Sequence, residues 1–476
     1  MHHRRMGTLE LIVALILLLS MAGCGGGGGN DPPSTGFPVV VFSDVHFDPL
    51  YDKSLCSQLN AEDPGKWAAI LSSSTEPSAW GSDTNYALLV RTLESVKANL
   101  GASPMVIFTG DILGHYLAEA FFQCHDTGDT PTPEDIAAMK SFTDKTVAFF
   151  IQQVKSSLGN VPVMFALGNA DSYWGLGPDQ EFLSNTAELY YGFLSGAADH
   201  QTFITTLTQG GYYAAGLPGT NLMVIGLNTF EFSPLFKDTR YAEVMAQLDW
   251  FEQTLASAKA NGQKVWLLMH VPPGADKYST AQSLVDGQLK SPPTMMWNQE
   301  YQTRFLQILS EYPEVVAQTL TAHTHMDEYR IMSPSDVADT TPGITPYFGN
   351  DPAFKVFTVA RDTLKAIDYT SFNYDLNYAV GAPPPDRFQA YYTFSVAYAT
   401  QGLLDKSLAQ LYPELAAKVS RRTYYSGSYF SGRGNFAATG NELTPITDTT
   451  WPVYWCGILH MDPPGLTDCI NSYKAN

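Results

Sequence analysis

Hydrophobic positions along this chain follow two different periods. Short runs of apolar or β-branched residues, Val39–Phe42, Met105–Thr109, Val161–Leu167, Val265–Met269 and Thr319–Ala322, are each followed directly by small, polar or histidine residues. Such runs read as buried strands. Elsewhere apolar residues recur every three or four positions. That spacing predicts a helix near Asp83–Leu100, with Ala87, Val90, Leu93, Val96 and Leu100 on one face and Ser82 or Asp83 as its N-cap. It predicts further helices at about Pro133–Leu158, at Tyr241–Ala260 and at Asn298–Ser310. Tyr212–Ala215 and Leu222–Leu227 read as paired strands, and Lys355–Ala360 with Leu364–Tyr369 as a late hairpin around Arg361 and Asp362. From about Asn373 the pattern changes to aromatic-rich segments read as helical, including Phe388–Gln401 and Leu403–Val419, and then to a Gly/Ser/Tyr-rich stretch. The expected fold is α+β, with one large domain over residues 37–372 and a mainly helical subdomain over 373–476.

Each of the five runs ends in residues that bind metal ions. Val39–Phe42 leads to Asp44 and His46, Met105–Thr109 to Asp111, Val161–Leu167 to Asn169, Val265–Met269 to His270, and Thr319–Ala322 to His323 and His325. Side chains at strand ends sit on rigid supports and face one edge of a sheet, which suits a preorganised site. Asp111 is the candidate bridge between two cations. Asp44, His46 and His325 would complete the shell of the first, and Asn169, His270 and His323 that of the second. Two such cations lie about 3.5–4 Å apart and repel, so they need a shared anion and neutral donors. Against two carboxylates and a hydroxide the pair keeps a net positive charge that attracts phosphate. Imidazole and carboxylate donors suit zinc, and also iron or manganese.

The chain of 476 residues carries 27 Lys and Arg against 47 Asp and Glu, a formal charge of -20. That balance argues against nucleic acid as a partner, because a polyanion needs a basic footprint. With 45% hydrophobic and only 16% charged residues, the chain has material for an ample core.

Arg4 and Arg5, the apolar stretch Leu11–Leu19 and the small residues before Cys24 have the layout of a signal peptide over residues 1–23. Small residues directly before a cysteine resemble a bacterial lipobox, so Cys24 is expected to be lipidated and to anchor the protein to a membrane outside the cytoplasm; ordinary secretion is the alternative. Residues 24–36, with Gly25–Gly29, read as a flexible tether. Setting Cys24 aside leaves Cys56, Cys124, Cys456 and Cys469, an even number that fits two disulfides in an oxidising compartment. Three pairings are possible; Cys456 with Cys469 would close a short loop and leave Cys56 with Cys124.

The ordered set Asp44/His46, Asp111, Asn169, His270 and His323/His325 resembles the calcineurin-like metallophosphoesterases. Within them it is similar to the acid sphingomyelinase-like phosphodiesterases in Asp48-Pro49-Leu50-Tyr51, in His115 four residues after Asp111, in Asp327-Glu328-Tyr329, and in Tyr454-Trp455-Cys456-Gly457 with Met461-Asp462-Pro463. The resemblance implies a four-layer α/β/β/α sandwich and a two-metal phosphodiester hydrolase in which a bridging hydroxide attacks phosphorus. The substrate would be a phospholipid head group or a nucleotide-type molecule. A phosphomonoesterase or nucleotidase, or a non-catalytic metal- or phosphate-binding surface lipoprotein, is the alternative. The chain departs from the pattern at Ala170, where the family usually has His, and at Ala322, where it usually has Gly. With that imidazole missing, His115 is the candidate general acid for the leaving group, beside Asp111 as a catalytic residue. Tyr173 and Trp174 read either as pocket lining or as core packing.

Overall fold

A computed structural model describes residues 36–127, 130–236, 239–376, 384–432 and 446–473. The expected signal peptide, Cys24 and nearly all of the tether lie outside the described residues. The described residues form one compact unit.

Fourteen strands are present among the described residues: β1 (Phe37–Phe42), β2 (Val106–Phe108), β3 (Val163–Phe165), β4 (Tyr213–Gly216), β5 (Leu222–Leu227), β6 (Lys264–Met269), β7 (Leu284–Val285), β8 (Gln288–Leu289), β9 (Val316–Thr321), β10 (Glu328–Ser333), β11 (Asp336–Thr340), β12 (Ala353–Val359), β13 (Ala366–Asn373) and β14 (Gln389–Thr393). Two six-stranded sheets carry most of them, in the orders β14-β13-β12-β1-β2-β3 and β10-β11-β9-β6-β5-β4. In the first, β1, β2 and β3 run parallel; in the second, β5, β6 and β9 do. The near-continuous apolar composition of these central strands follows from burial on both faces.

The sheets are tied face to face by side chains that cross between them. Tyr213 on β4 donates from its hydroxyl to the Phe165 carbonyl at 2.9 Å and accepts from the Phe165 amide at 2.6 Å. Trp266 on β6 donates to the Leu364 carbonyl at 2.7 Å. Lys355 on β12 reaches Asp339 on β11 at 2.6 Å and Asp327 at 2.7 Å. Outside the second sheet, the helices Tyr241–Ala260 and Gln299–Glu311 bury Val244, Leu248, Phe251 and Leu255 with Tyr301, Phe305 and Ile308. On the first sheet's side, Phe150 of the helix Pro133–Leu158 packs on Phe108 of β2. The layers are therefore helix, sheet, sheet, helix, as the resemblance implied.

The long helices match the apolar periodicity closely. Pro133–Leu158 begins with Thr132 and Asp135 in a reciprocal capping box, and Gln299–Glu311 is capped by Asn298. Three expectations are corrected. The helix expected from Asp83 starts at Tyr86 with Asn85 as its cap, and Asp83 is committed elsewhere. Phe388–Gln401, read as helical, is instead β14 followed by the short helix Phe394–Tyr398. Its Tyr and Thr residues suit a pleated edge, where Tyr392 bonds the Tyr369 hydroxyl across the pair. Leu403–Val419 ends at Ala417, where Lys418 turns extended before a further helix, Val419–Ser428. Two C-terminal helices follow, Trp451–Leu459 and Pro463–Ser472, joined by the Cys456–Cys469 disulfide. Cys56 pairs with Cys124. Among the described residues no helix is long and apolar enough to cross a membrane.

Candidate metal centre

The carboxyl ends of β1, β2 and β3 in one sheet and of β6 and β9 in the other deliver their loops to a common point. Because parallel neighbours end at the same edge, residues far apart in sequence converge there. One donor atom from each of Asp44, His46, Asp111 and His325 falls within 4.8 Å of the others, and Asp111, His270 and His323 form a second such group. Asp111 belongs to both, as a bridging carboxylate must. Its Oδ2 lies 3.1 Å from His46 Nε2 and 3.0 Å from His270 Nε2. Asn169 adjoins Ala170, whose amide donates to Asp111 Oδ1 at 2.7 Å. Six of the seven residues expected as ligands thus fall into two groups that share Asp111, and Asn169 lines the same cavity as Asp111 and His323.

The loops reach this geometry through uncommon backbone. Asp44, His46, Asp111, His323 and His325 all have positive φ, between 44° and 72°. Non-glycine residues avoid this region, and such strain collects where a site needs a particular side-chain direction. Asp171 knits two of the loops, accepting from the amides of Asp111 at 3.0 Å, Ile112 at 2.7 Å and Gly168 at 2.8 Å. Gly168 leaves no room for anything larger, since a Cβ there would stand 2.0 Å from Asp111 Oδ1.

The donor set fits divalent cations. His46 Nδ1 donates to the Leu113 carbonyl at 2.9 Å and His270 Nδ1 to the Thr109 carbonyl at 2.7 Å. Each bond fixes the tautomer that leaves Nε2 as a lone-pair donor. Asp44 Oδ2, His46 Nε2, Asn169 Oδ1, His270 Nε2 and His325 Nδ1 are buried and make no hydrogen bond, a cost that metal coordination would remove. The electrostatics mark a place for positive charge. Burial disfavours charge on His46 and His270, yet the Asp111 carboxylate overrides it and raises both to about 9. Burial together with His270 lowers His323 to about 3. Asp111 draws positive charge to itself from both sides, and the remaining imidazoles are held neutral, the form that binds a metal.

His115, the expected general acid, lies beside this group. Its ring stacks between His46, with centroids 3.9 Å apart, and Tyr347 at 4.3 Å. Nδ1 donates to Asp83 Oδ1 at 2.8 Å, and the His115 amide donates to Asp83 Oδ2 at 2.6 Å. Burial, and then the neighbouring His46, keep His115 below the usual histidine range, while Asp83 pulls the other way. Sequence reasoning assigned Asp83 only to a helix cap; the spacing of one acid before a helix gave no sign of this contact. Tyr347 carried no signal either.

Two cavities open from the centre. One, about 350 Å³, is lined by Asp276, Lys277, Tyr278, Met296, Glu328, Arg330 and Tyr429 beside His115, Asn169, His323 and His325. The other, about 400 Å³, is lined by Tyr116, Leu117, Ala170, Ser172, Trp174 and Leu176 beside His115 and Asn169. Trp174 is therefore pocket lining. Tyr173 touches the same cavity but is buried, with its hydroxyl tied to Asp144 at 2.9 Å.

The family described as calcineurin-like phosphoesterase matches residues 37–327. The chain is 25% identical to the cyclic GMP-AMP phosphodiesterase SMPDL3A of Mus musculus, over 90% of this chain and 91% of that one. It is 27% identical to the sphingomyelin phosphodiesterase of Bos taurus, over 67% of this chain and 48% of that one. It is 23% identical to the acid sphingomyelinase-like phosphodiesterase 3b of Homo sapiens, over 82% and 83%.

Proposed function

Because the chain belongs to the calcineurin-like phosphoesterases, we propose that it is a two-metal hydrolase of phosphodiesters rather than of monoesters. The observation that carries the preference is the pair of cavities that share His115 and Asn169. A diester has a substituent on each side of phosphorus and needs room for both; a monoester needs room for one. The names of the relatives, phosphodiesterases acting on cyclic GMP-AMP or on sphingomyelin, support the same reading.

Asp44, His46, Asp111 and His325 would hold one cation, and Asp111, Asn169, His270 and His323 the other, with zinc favoured by the imidazole-rich set. Bound there, the pair supplies Lewis-acid charge and a water of lowered pKa. The protein's own part is positioning and proton transfer. Asp111 places negative charge between the sites and Asp44 adds charge within the first, and the Nδ1 bonds of His46 and His270 fix their rings. His115 presents Nε2 to the cleft because Nδ1 is taken by Asp83, so a proton on Nε2 can pass to the leaving alkoxide. Ala170, which lines the same cavity as His115, contributes only a methyl group there.

The test is metal content and turnover on purified protein with sphingomyelin, CDP-choline, ATP and a bis-aryl phosphodiester, against a simple aryl monoester. Preferential cleavage of diesters with two metals bound is expected, and both should be lost in Asp111→Asn. Two bound metals with no diester turnover, or faster monoester cleavage, would overturn the reading.

We further propose that Cys24 is lipidated and holds the protein at a membrane outside the cytoplasm. The four remaining cysteines are consumed by the two disulfides, which supports an oxidising compartment. Release of Cys24→Ala from the membrane fraction is expected; retention would count against the anchor.

A further inference from the structure

Two of the four candidate histidine ligands are oriented by a carbonyl, His46 by Leu113 and His270 by Thr109. The other two are not. His325 Nδ1 is buried without a partner, and among the described residues His323 bonds only through its backbone amide, to Asp44 Oδ1 at 3.1 Å. A ligand ring without an outer partner keeps its direction only if the loop that carries it is held rigid.

An ion cluster follows directly on that loop. Glu328, three residues after His325, opens β10; its Oε2 accepts from Lys277 at 2.7 Å and its Oε1 from Arg330 at 3.2 Å. Lys277 begins the short helix Lys277–Gln282, and Arg330 also donates to the carbonyls of Pro273 at 2.7 Å and Ala275 at 2.8 Å. Pro273, Ala275 and Lys277 belong to the segment that leaves His270. One carboxylate and two cations therefore join the chain beyond His270 to the chain beyond His323 and His325. All three side chains are buried, and all three line the 350 Å³ cavity together with His323 and His325.

The C-terminal helices brace this cluster from behind. Gly457 of the helix Trp451–Leu459 lies against the Lys277 stem, where a Cβ would stand 3.1 Å from Cε and 3.2 Å from Cγ. Gln302 accepts from the Gly274 amide at 2.6 Å and donates to the Met461 carbonyl at 2.5 Å. Apolar residues of similar volume would join the two segments with less desolvation cost. They would not fix direction, which charge-assisted hydrogen bonds do.

We propose that Lys277, Glu328 and Arg330 form a clasp that sets the direction of His323 against His270, and are thus positioning residues for the second cation. Pairing of β6 with β9 brings the two ligand-bearing ends side by side; the clasp fixes the segments beyond them, where pairing has ended. The inference rests on the two-metal reading.

The test reads metal affinity and stability separately, by zinc titration against a chromophoric chelator and by urea melts of the metal-free protein. Lys277→Met keeps the length of the side chain and removes its charge. Zinc affinity at the second site should fall about 10- to 100-fold, while the first site stays within about twofold of the parent. Lys277→Met with Glu328→Gln removes the carboxylate left short of a partner, so this protein should melt closer to the parent than Lys277→Met does, yet bind the second zinc as weakly. Gly457→Ala presses on the same stem from outside and favours its own helix; a smaller loss at the second site is expected. In a His270→Ala background, which lacks a ligand of the second shell, Lys277→Met should leave the remaining zinc affinity unchanged. Recovery of the second zinc together with stability in the double variant makes the cluster a structural brace only and overturns the proposal. Parental zinc affinity in Lys277→Met, or an equal loss at both sites, overturns it too, and each of these results leaves the two-metal reading standing. A parent protein that binds fewer than two zinc ions overturns both.

Discussion

The carboxylate of Asp83 holds His115 at two points, its Oδ1 accepting from Nδ1 at 2.8 Å and its Oδ2 from the backbone amide at 2.6 Å. An ionised carboxylate can only accept, so the ring must carry its proton on Nδ1 and turn Nε2 to the cleft. Thr345 donates to the same Oδ1 at 3.1 Å and fixes the carboxylate in turn.

Asp83→Asn therefore keeps the shape and removes the charge that supports a protonated His115. Since Asp83 pulls the His115 pKa upward, its loss lowers that pKa further. The proton needed on Nε2 is then lost at lower pH, and the alkaline limb of the pH–rate profile should move toward acid. A fall in kcat/KM of about 10- to 100-fold is expected for alkyl leaving groups, with a smaller fall for nitrophenolate, which leaves without a proton. An equal loss on both, with no movement of the limb, would make Asp83 a structural residue only.

Gly168→Ala tests how tightly the loops around Asp111 are drawn. The added methyl carbon would sit 2.0 Å from Asp111 Oδ1 and 2.5 Å from its amide nitrogen, so the bridging carboxylate must move. Metal content should fall well below that of the parent, and stability by about 1–3 kcal/mol from overpacking. Gly427→Ala is the control, because nothing lies within 4 Å of a Cβ there. Unchanged metal binding in Gly168→Ala would mean that the loop relaxes freely.

The seven candidate ligands were legible because each follows a short apolar strand, a local pattern that also tells where the side chain must point. The two long helices Pro133–Leu158 and Tyr241–Ala260 were legible for the same reason, since three-four spacing is written within the element. Asp83 was misread because an acid just before a helix suits a cap equally well, and its real partner is 32 residues away. The strand Gln389–Thr393 was misread because its identity depends on pairing with β13 rather than on its own periodicity. The second cavity was not legible at all. Its walls, 113–119 and 169–176, are separated by some fifty residues and meet only after the sheets have formed.

Lys355 joins the two sheets under the metal loops. Its ammonium lies 2.7 Å from Asp327, 2.6 Å from Asp339 and 2.9 Å from the Thr340 carbonyl, with no exposure to solvent, and Tyr392 donates to the second oxygen of Asp327 at 2.6 Å. Lys355→Met leaves two buried carboxylates without their cation, a loss of about 3–5 kcal/mol. Asp327 is two residues beyond His325, so weaker metal retention should accompany the loss. Adding Asp327→Asn and Asp339→Asn to Lys355→Met removes the uncompensated charges and should recover much of the stability in denaturant melts. No recovery would place the cost in packing and not in charge.

Glu231 yields a pH prediction remote from catalysis. It is buried in the turn Thr229–Phe232, where Oε1 accepts from Arg240 at 3.1 Å and Oε2 has no hydrogen-bond partner. Burial raises its pKa from 4.5 to about 7, against the opposing pull of Arg240. The folded state thus holds this proton more tightly than the unfolded chain does. The stability so gained is complete below pH 4.5 and is lost as pH rises through about 7. Glu231→Gln has no charge to bury and escapes that loss, so its stability relative to the parent should improve between those limits and level off above them. The shift sets a ceiling of about 3 kcal/mol, and the unpaired, partly exposed Arg240 should reduce the net gain to about 1–2 kcal/mol. Urea melts of both proteins at pH 5 and pH 8 decide the matter, because a difference between them that is the same at both pH values, or larger at pH 5, would show that Glu231 is already ionised without penalty in the folded protein.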